Sequence, residues 1–206
     1  MHSLIAFVCF MATFAQSAPL SGSSTLVGDP VFQEDLQRSR SLTDKMLRSI
    51  PDTHKSCIHI KTLQLNSSEN AKFQTMASTI GIPSAPLLKP LSENFILENT
   101  LTRIYEGLQL HQALLDSIVP KLEVKDKVND LKADIRDLGF LIRKLLKLVR
   151  KDAVVQQTPT PVELRLPGDY EVQVAAHLTL VQLQAFGDDV DRCLRSLAQT
   201  DKEAES

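Results

Sequence analysis

Between positions 128 and 149, the apolar residues Val128, Leu131, Ile135, Leu138, Ile142, Leu145 and Val149 recur at steps of three and four without a miss. At about 100° of rotation per residue, that spacing draws one continuous stripe down an α-helix. No proline interrupts the run, and its only glycine is Gly139. The charges sort to the two flanks. Asp130, Asp134 and Asp137 follow one side, and Lys132, Arg136, Arg143, Lys147 and Arg150 follow the other. A helix with a single apolar stripe is not stable alone, so other helices must cover it. Its polar flanks then face solvent or a partner.

The chain begins with a short apolar run over positions 4–14, followed by small residues at Ala15 and Ser17. This reads as a signal peptide and is too short for a membrane span, which needs about 18 apolar residues or more. Cleavage after Ser17 fits the small-residue rule, which predicts a secreted, soluble chain with no stable membrane insertion. Removing 17 of 206 residues leaves 189, enough for one domain with a core. With 23 basic and 25 acidic residues, the charge is too balanced for a nucleic-acid binder. The chain has no tryptophan, so leucine, isoleucine and valine must build the core. Cys9 leaves with the signal, and Cys57 and Cys193 remain as candidates for one disulfide. Asn66-Ser67-Ser68 is a sequon that would mark an exposed, glycosylated loop.

Four helices are predicted, at about 30–50, 93–119, 123–151 and 170–199. Asp29 and Pro30 suit the cap and first position of helix one, and Pro51 is read as its stop. Phe32, Leu36, Thr43, Met46, Leu47 and Ile50 share its inner face. Glu34, Arg38, Ser41, Lys45 and Arg48 lie outward, where charge usually means only a solvated face. Residues 51–91 read as a long connection with a helical turn near 69–78. Helix two carries Leu97, Leu101, Ile104, Leu108, Leu115 and Ile118, and ends at Pro120. After a second long gap over 152–168, Asp169 is read as the cap of helix four, whose stripe is Ala176, Leu183, Phe186, Val190, Leu194 and Leu197.

Connection lengths constrain the topology. A helix of about 25 residues is about 38 Å long. The short link at Pro120 makes helices two and three antiparallel neighbours. The other two links can each span the bundle at about 3.3 Å per residue. The expected fold is all-α, an up-up-down-down four-helix bundle with two long crossovers, which these lengths permit; an up-down-up-down bundle would not need such long first and third links but could tolerate them.

One stretch is distinctive in its wording as well as its periodicity. Gly81-Ile82-Pro83-Ser84-Ala85-Pro86-Leu87 leads into Leu101-Thr102-Arg103-Ile104-Tyr105-Glu106-Gly107-Leu108 and on to Leu115. Together with Asp134-Ile135-Arg136-Asp137-Leu138, Ala175-Ala176-His177-Leu178 and Arg195-Ser196-Leu197-Ala198-Gln199, this resembles the granulocyte colony-stimulating factors of the interleukin-6-type long-chain cytokines. The resemblance covers about 77–199 and is faint in helix one. It implies a secreted growth factor that binds and dimerises a class I cytokine receptor resembling the granulocyte colony-stimulating factor receptor. The expected response is granulocyte-lineage proliferation, differentiation and survival.

The resemblance also implies a receptor-binding face. The family uses an outward face of helix one, here Glu34, Arg38, Ser41 and Lys45 by exposure, and an acidic pair on helix three that matches Asp134 and Asp137, with Asp130 beside them. A second receptor contact in the family would fall at Lys72 and Phe73, and Lys72 departs from the family's acidic residue. The family's bridge beside helix two would fall near Pro90 and Thr100 and is absent. Cys57 matches the earlier loop bridge without a partner there, which leaves pairing with Cys193 open.

Blander and sharper readings compete at a few places. Residues 140–151, FLIRKLLKLVRK, look like a basic membrane-surface helix, but the stripe is continuous with the residues upstream, which favours a core helix. His111 and His177 read as core or boundary histidines. His54, Cys57 and His59 do not complete a zinc site. No phosphate loop, nucleophile elbow or zinc-protease helix is present, so no catalytic residue, cofactor or metal is expected. Two alternatives to the signalling ligand are a helical subunit of a heterodimeric cytokine and a lipid-binding amphipathic bundle. The free chain is expected to be a monomer.

Overall fold

A computed structural model describes residues 29–88, 97–150 and 162–204. The signal segment, the expected start of helix two near 93, and residues 151–161 lie outside the described residues. The described chain is all-helical: α1 (Pro30–Cys57), a 3-10 helix η1 (Ser68–Phe73), α2 (Gln74–Ile80), α3 (Leu97–Ile118), a 3-10 turn η2 (Val119–Lys121), α4 (Asp126–Val149) and α5 (Asp169–Ala204).

Helix α1 starts where its sequence dictates. The Asp29 carboxylate accepts from the Val31 and Phe32 amides at 2.7 and 3.3 Å, and Pro30 occupies the first helical position, where an N–H is not needed. Asp29→Ala should lower stability by about 1 kcal/mol, seen as a lower urea midpoint with an unchanged slope.

Pro51 does not end this helix. α1 continues to Cys57 with Pro51 inside it, exposed to solvent. A proline withholds one backbone donor and crowds the preceding turn. Past it, however, the core face continues: Thr53, His54 and Cys57 are buried, and Thr53 Oγ1 donates to the Ser49 carbonyl at 2.8 Å. Burial of that last turn outweighs the local penalty. The first connection therefore begins only after Cys57.

Within that connection, η1 and α2 occupy the region read as a helical turn. Gly81 closes α2 with φ at 91°, and the amides of Gly81 and Ile82 both donate to the Ala77 carbonyl at 2.9 Å. Only glycine takes that left-handed backbone at no steric cost, so the Gly-Ile-Pro segment begins with a helix stop. The Arg165 amide, from the second connection, donates to the Ile80 carbonyl at 2.8 Å and ties the two connections together.

The four long helices enclose one core. α1 packs against α4 and α5, and α3 packs against the same two. All the predicted stripe residues of α3 and α5 are buried, as are those of α4 except the half-buried Val149 and those of α1 except the half-buried Leu47. Residues 140–149 belong to this core: Ile142, Leu145 and Leu146 are buried, while Phe140 is 65% exposed. Among the described residues, no helix is long and apolar enough to cross a membrane. Asp169 is the first residue of α5 rather than its cap, a shift of one position.

Candidate functional site

The α1/α4 seam is held by three ion pairs. Lys144 Nζ meets Asp35 Oδ1 at 2.8 Å, Lys45 Nζ meets Asp134 Oδ1 at 2.6 Å, and Lys127 Nζ meets Asp52 Oδ2 at 3.5 Å. From 35 to 45 to 52 on α1, the partners fall from 144 to 134 to 127 on α4. The two helices therefore run antiparallel in one fixed register. On the inner edge of α1, Ser39 Oγ donates to the Asp35 carbonyl and Thr43 Oγ1 to the Ser39 carbonyl, at 2.7 and 2.8 Å. These small side chains are satisfied within their own helix, so they can be buried at the seam without an orphaned donor.

Most of the residues selected from the sequence gather along this seam. Glu34, Arg38, Ser41 and Lys45 are exposed on one face of α1, and Arg38 pairs with Glu34 at 2.6 Å one turn away. Asp130 and Asp137 are exposed on α4, and Asp137 lies 3.4 Å from Arg136. A groove of about 550 Å³ runs between the helices, with Lys45, Asp52, Lys127, Asp130, Asp134 and Asp137 in its walls.

Asp134 is the correction. It was expected on a solvent-facing acidic flank, but it is only 8% exposed. The stem of Lys45 crosses from α1, and its ammonium hydrogen bonds the carboxylate, so Asp134 presents its charge only through Lys45. That hydrogen bond, followed by the charge of Asp134 and the weaker fields of Asp137 and Asp130, raises the Lys45 pKa above its ordinary value. The partner stands 89 positions away in sequence, and no periodicity could reveal it. Two residues chosen separately, one from each helix, thus form a single contact.

Lys72 and Phe73 close η1. Lys72 is exposed and paired with Glu69, and the half-buried Phe73 sets its ring edge on His177, with centroids 6.0 Å apart. Asn66 is exposed in the preceding turn, so its amide is open to solvent.

The candidate pairing of Cys57 with Cys193, left open by the sequence, is not made. Both thiols are free and buried. His54, one turn before Cys57, touches His177. Cys193 lies 16 residues further along α5, about 24 Å away at 1.5 Å per residue. A disulfide needs Cα atoms within about 7 Å. Burial pushes the Cys57 thiol up to about 11 and also raises that of Cys193, which keeps both protonated.

His54, His111 and His177 are core residues. His111 and His177 are fully buried and His54 is nearly so. His111 Nδ1 reaches the Gly107 carbonyl at 2.7 Å, and its ring lies against Phe186. Among the described residues, no group of three or more histidine, cysteine, aspartate or glutamate side chains is arranged to hold a metal ion. The sequence reading missed the contact between His54 and His177, because it joins α1 to α5 across 123 positions.

No protein-family model matches this chain, and no curated protein matches it significantly.

Proposed function

We propose that this chain is a secreted helical signalling ligand that binds and dimerises a class I cytokine receptor through the α1/α4 face, without catalysis. The observation that carries the reading is the Lys45–Asp134 contact, at 2.6 Å. It joins the outward residues of helix one and the acidic flank of the 126–149 helix into one surface, on which Glu34, Arg38, Ser41, Asp130 and Asp137 stay accessible. A shallow polar patch of that kind suits recognition of a charged protein partner better than turnover of a small molecule.

The reading includes an up-up-down-down bundle with two crossovers. Three sets of contacts support it. The α1/α4 pairs run in opposite directions, and so do the α3/α4 pairs, Asp116 with Lys132 and Glu98 with Arg150. On α5, His177 meets His54, while Gly187 faces Met46 and Leu47, again in opposite sense. The resemblance of residues 81–115 to the granulocyte colony-stimulating factors supplies the receptor class. Lys72 and Phe73 would serve as a second contact, and Asn66 as the glycosylation site.

Asp130→Ala with Asp137→Ala tests the face. Both side chains are exposed, so thermal and urea unfolding should be unchanged. Affinity for the soluble granulocyte-factor receptor ectodomain should fall by about tenfold or more, equivalent to about 1.4 kcal/mol. Full affinity in the folded double variant would remove the α4 flank from the interface.

A further inference from the structure

At the end of the bundle where α1 finishes and α5 begins, three side chains form a chain of hydrogen bonds through the interior. The direction of each bond can be assigned. The Asn70 amide nitrogen donates to the carbonyls of Gln64 and Leu65 at 3.1 and 2.8 Å, so its Oδ1 is the atom turned to His177. That oxygen accepts from His177 Nε2–H at 3.0 Å. His177 Nδ1 then carries a lone pair and accepts from His54 Nε2–H at 2.9 Å. The His54 and His177 rings meet edge to face at 5.2 Å, and Phe73 covers the other side of His177.

We propose that this chain is an acid-sensitive latch: protonation of the His54–His177 pair releases η1 from the end of the bundle while the four long helices stay folded. In the neutral state Asn70 and Phe73 fasten η1 to α5 through a single buried imidazole. The first added proton can be shared between the rings, but it places a charge among apolar and neutral groups. A second proton sets N–H against N–H across 2.9 Å, and the contact cannot persist.

Among the described residues, no carboxylate acts on either ring to offset that charge. From α1, the neighbour is the Cys57 thiol, whose sulfur lies 3.9 Å from the His54 carbonyl. From α5 it is Gln173, whose oxygen is taken by the His59 amide. From η1 come Asn70 and Phe73, and the Glu69 carboxylate is held at the exposed surface by Lys72. His59 itself is exposed. Burial lowers the pKa of both histidines; the charge of His54 pushes His177 further, to about 4.

The sign follows. With folded-state pKa values below the ordinary 6.5, docking is at full strength above about pH 6.5 and weakens as pH falls towards 4. Once η1 has left, His54 and His177 are open to water and bind protons at the ordinary value, so acid favours release. This inference concerns conformation and stands independently of the receptor reading.

The test is NMR of the purified chain from about pH 7.5 down to about pH 4, following the Asn70 side-chain amide and Phe73 ring signals, with helix content checked by circular dichroism. In the wild-type chain these signals should move to undocked positions together with the His54 and His177 ring protons, at constant helix content. In His54→Gln the glutamine can donate to neutral His177 or accept from its protonated form, so docking should persist to the lowest pH. His59→Gln should behave as wild type. Should His54→Gln already be loose at neutral pH, His177→Gln is read in the same way. Wild-type signals that stay docked while both rings titrate would overturn the latch. So would an unchanged transition in the glutamine variant, or unfolding of the whole bundle in one step.

Discussion

Phe186→Ala is expected to destabilise the bundle by about 3–5 kcal/mol, one of the two largest losses anticipated for a single residue. The ring is 3% exposed and packs between α5 and the Gly107 backbone of α3. A Cβ on Gly107 would stand 2.2 Å from Phe186 Cζ and 2.4 Å from Cε2, so the ring lies directly on the glycine backbone. His111, one turn on, covers the ring at 5.2 Å between centroids. Removing the ring leaves a cavity that two stiff helices cannot collapse to fill. Gly107→Ala acts from the other side: the methyl has no space, and overpacking of this kind costs about 1–3 kcal/mol. Because both changes act on one contact, they should not add. The double variant should be more stable than the sum of the single losses predicts. Urea denaturation of the three variants, compared at equal slope, checks this. Additive losses would mean that the close approach is relieved elsewhere.

The second large effect belongs to the seam. Asp35 is 2% exposed, one of its oxygens has no partner, and the other is held by Lys144. Lys144→Ala would leave that carboxylate buried and uncompensated, and breaking a buried pair from this side costs up to about 3–5 kcal/mol. Asp35→Ala should cost less, because the Lys144 side chain is 40% exposed and its ammonium can turn to water. Replacing both, as Asp35→Leu with Lys144→Met, should recover most of the loss, since an apolar pair of similar volume needs no compensation. Equal losses from the two alanine variants would contradict this asymmetry.

These effects also show which parts of the fold were legible in the sequence. The stripes of α3, α4 and α5 were readable because a residue's depth on a regular helix follows from its position alone. The Asp29-Pro30 start was readable for the same reason, since a cap involves only its immediate neighbours. Pro51 misled because a local rule for stopping met a core face that continued to Cys57, and burial prevailed. Asp134 misled more deeply. Its angular position at the edge of the stripe was correct, yet whether an edge position is wet depends on what lies over it, here Lys45. The Asp35–Lys144 pair and the His54–His177–Asn70 chain were invisible for that reason: each joins elements that periodicity treats one at a time. The cysteines are the converse case, since knowing the ends of the helices already places their thiols too far apart to bond.

The proposed role is that of a receptor ligand acting through the α1/α4 face. Its most direct test is titration of the purified chain, freed of residues 1–17, into the soluble granulocyte-factor receptor ectodomain, with the size of the complex measured in the same samples. The expected result is saturable binding by a monomeric ligand and a complex that contains two receptor molecules. A monomeric, helical preparation that leaves the ectodomain unbound at every concentration would contradict it.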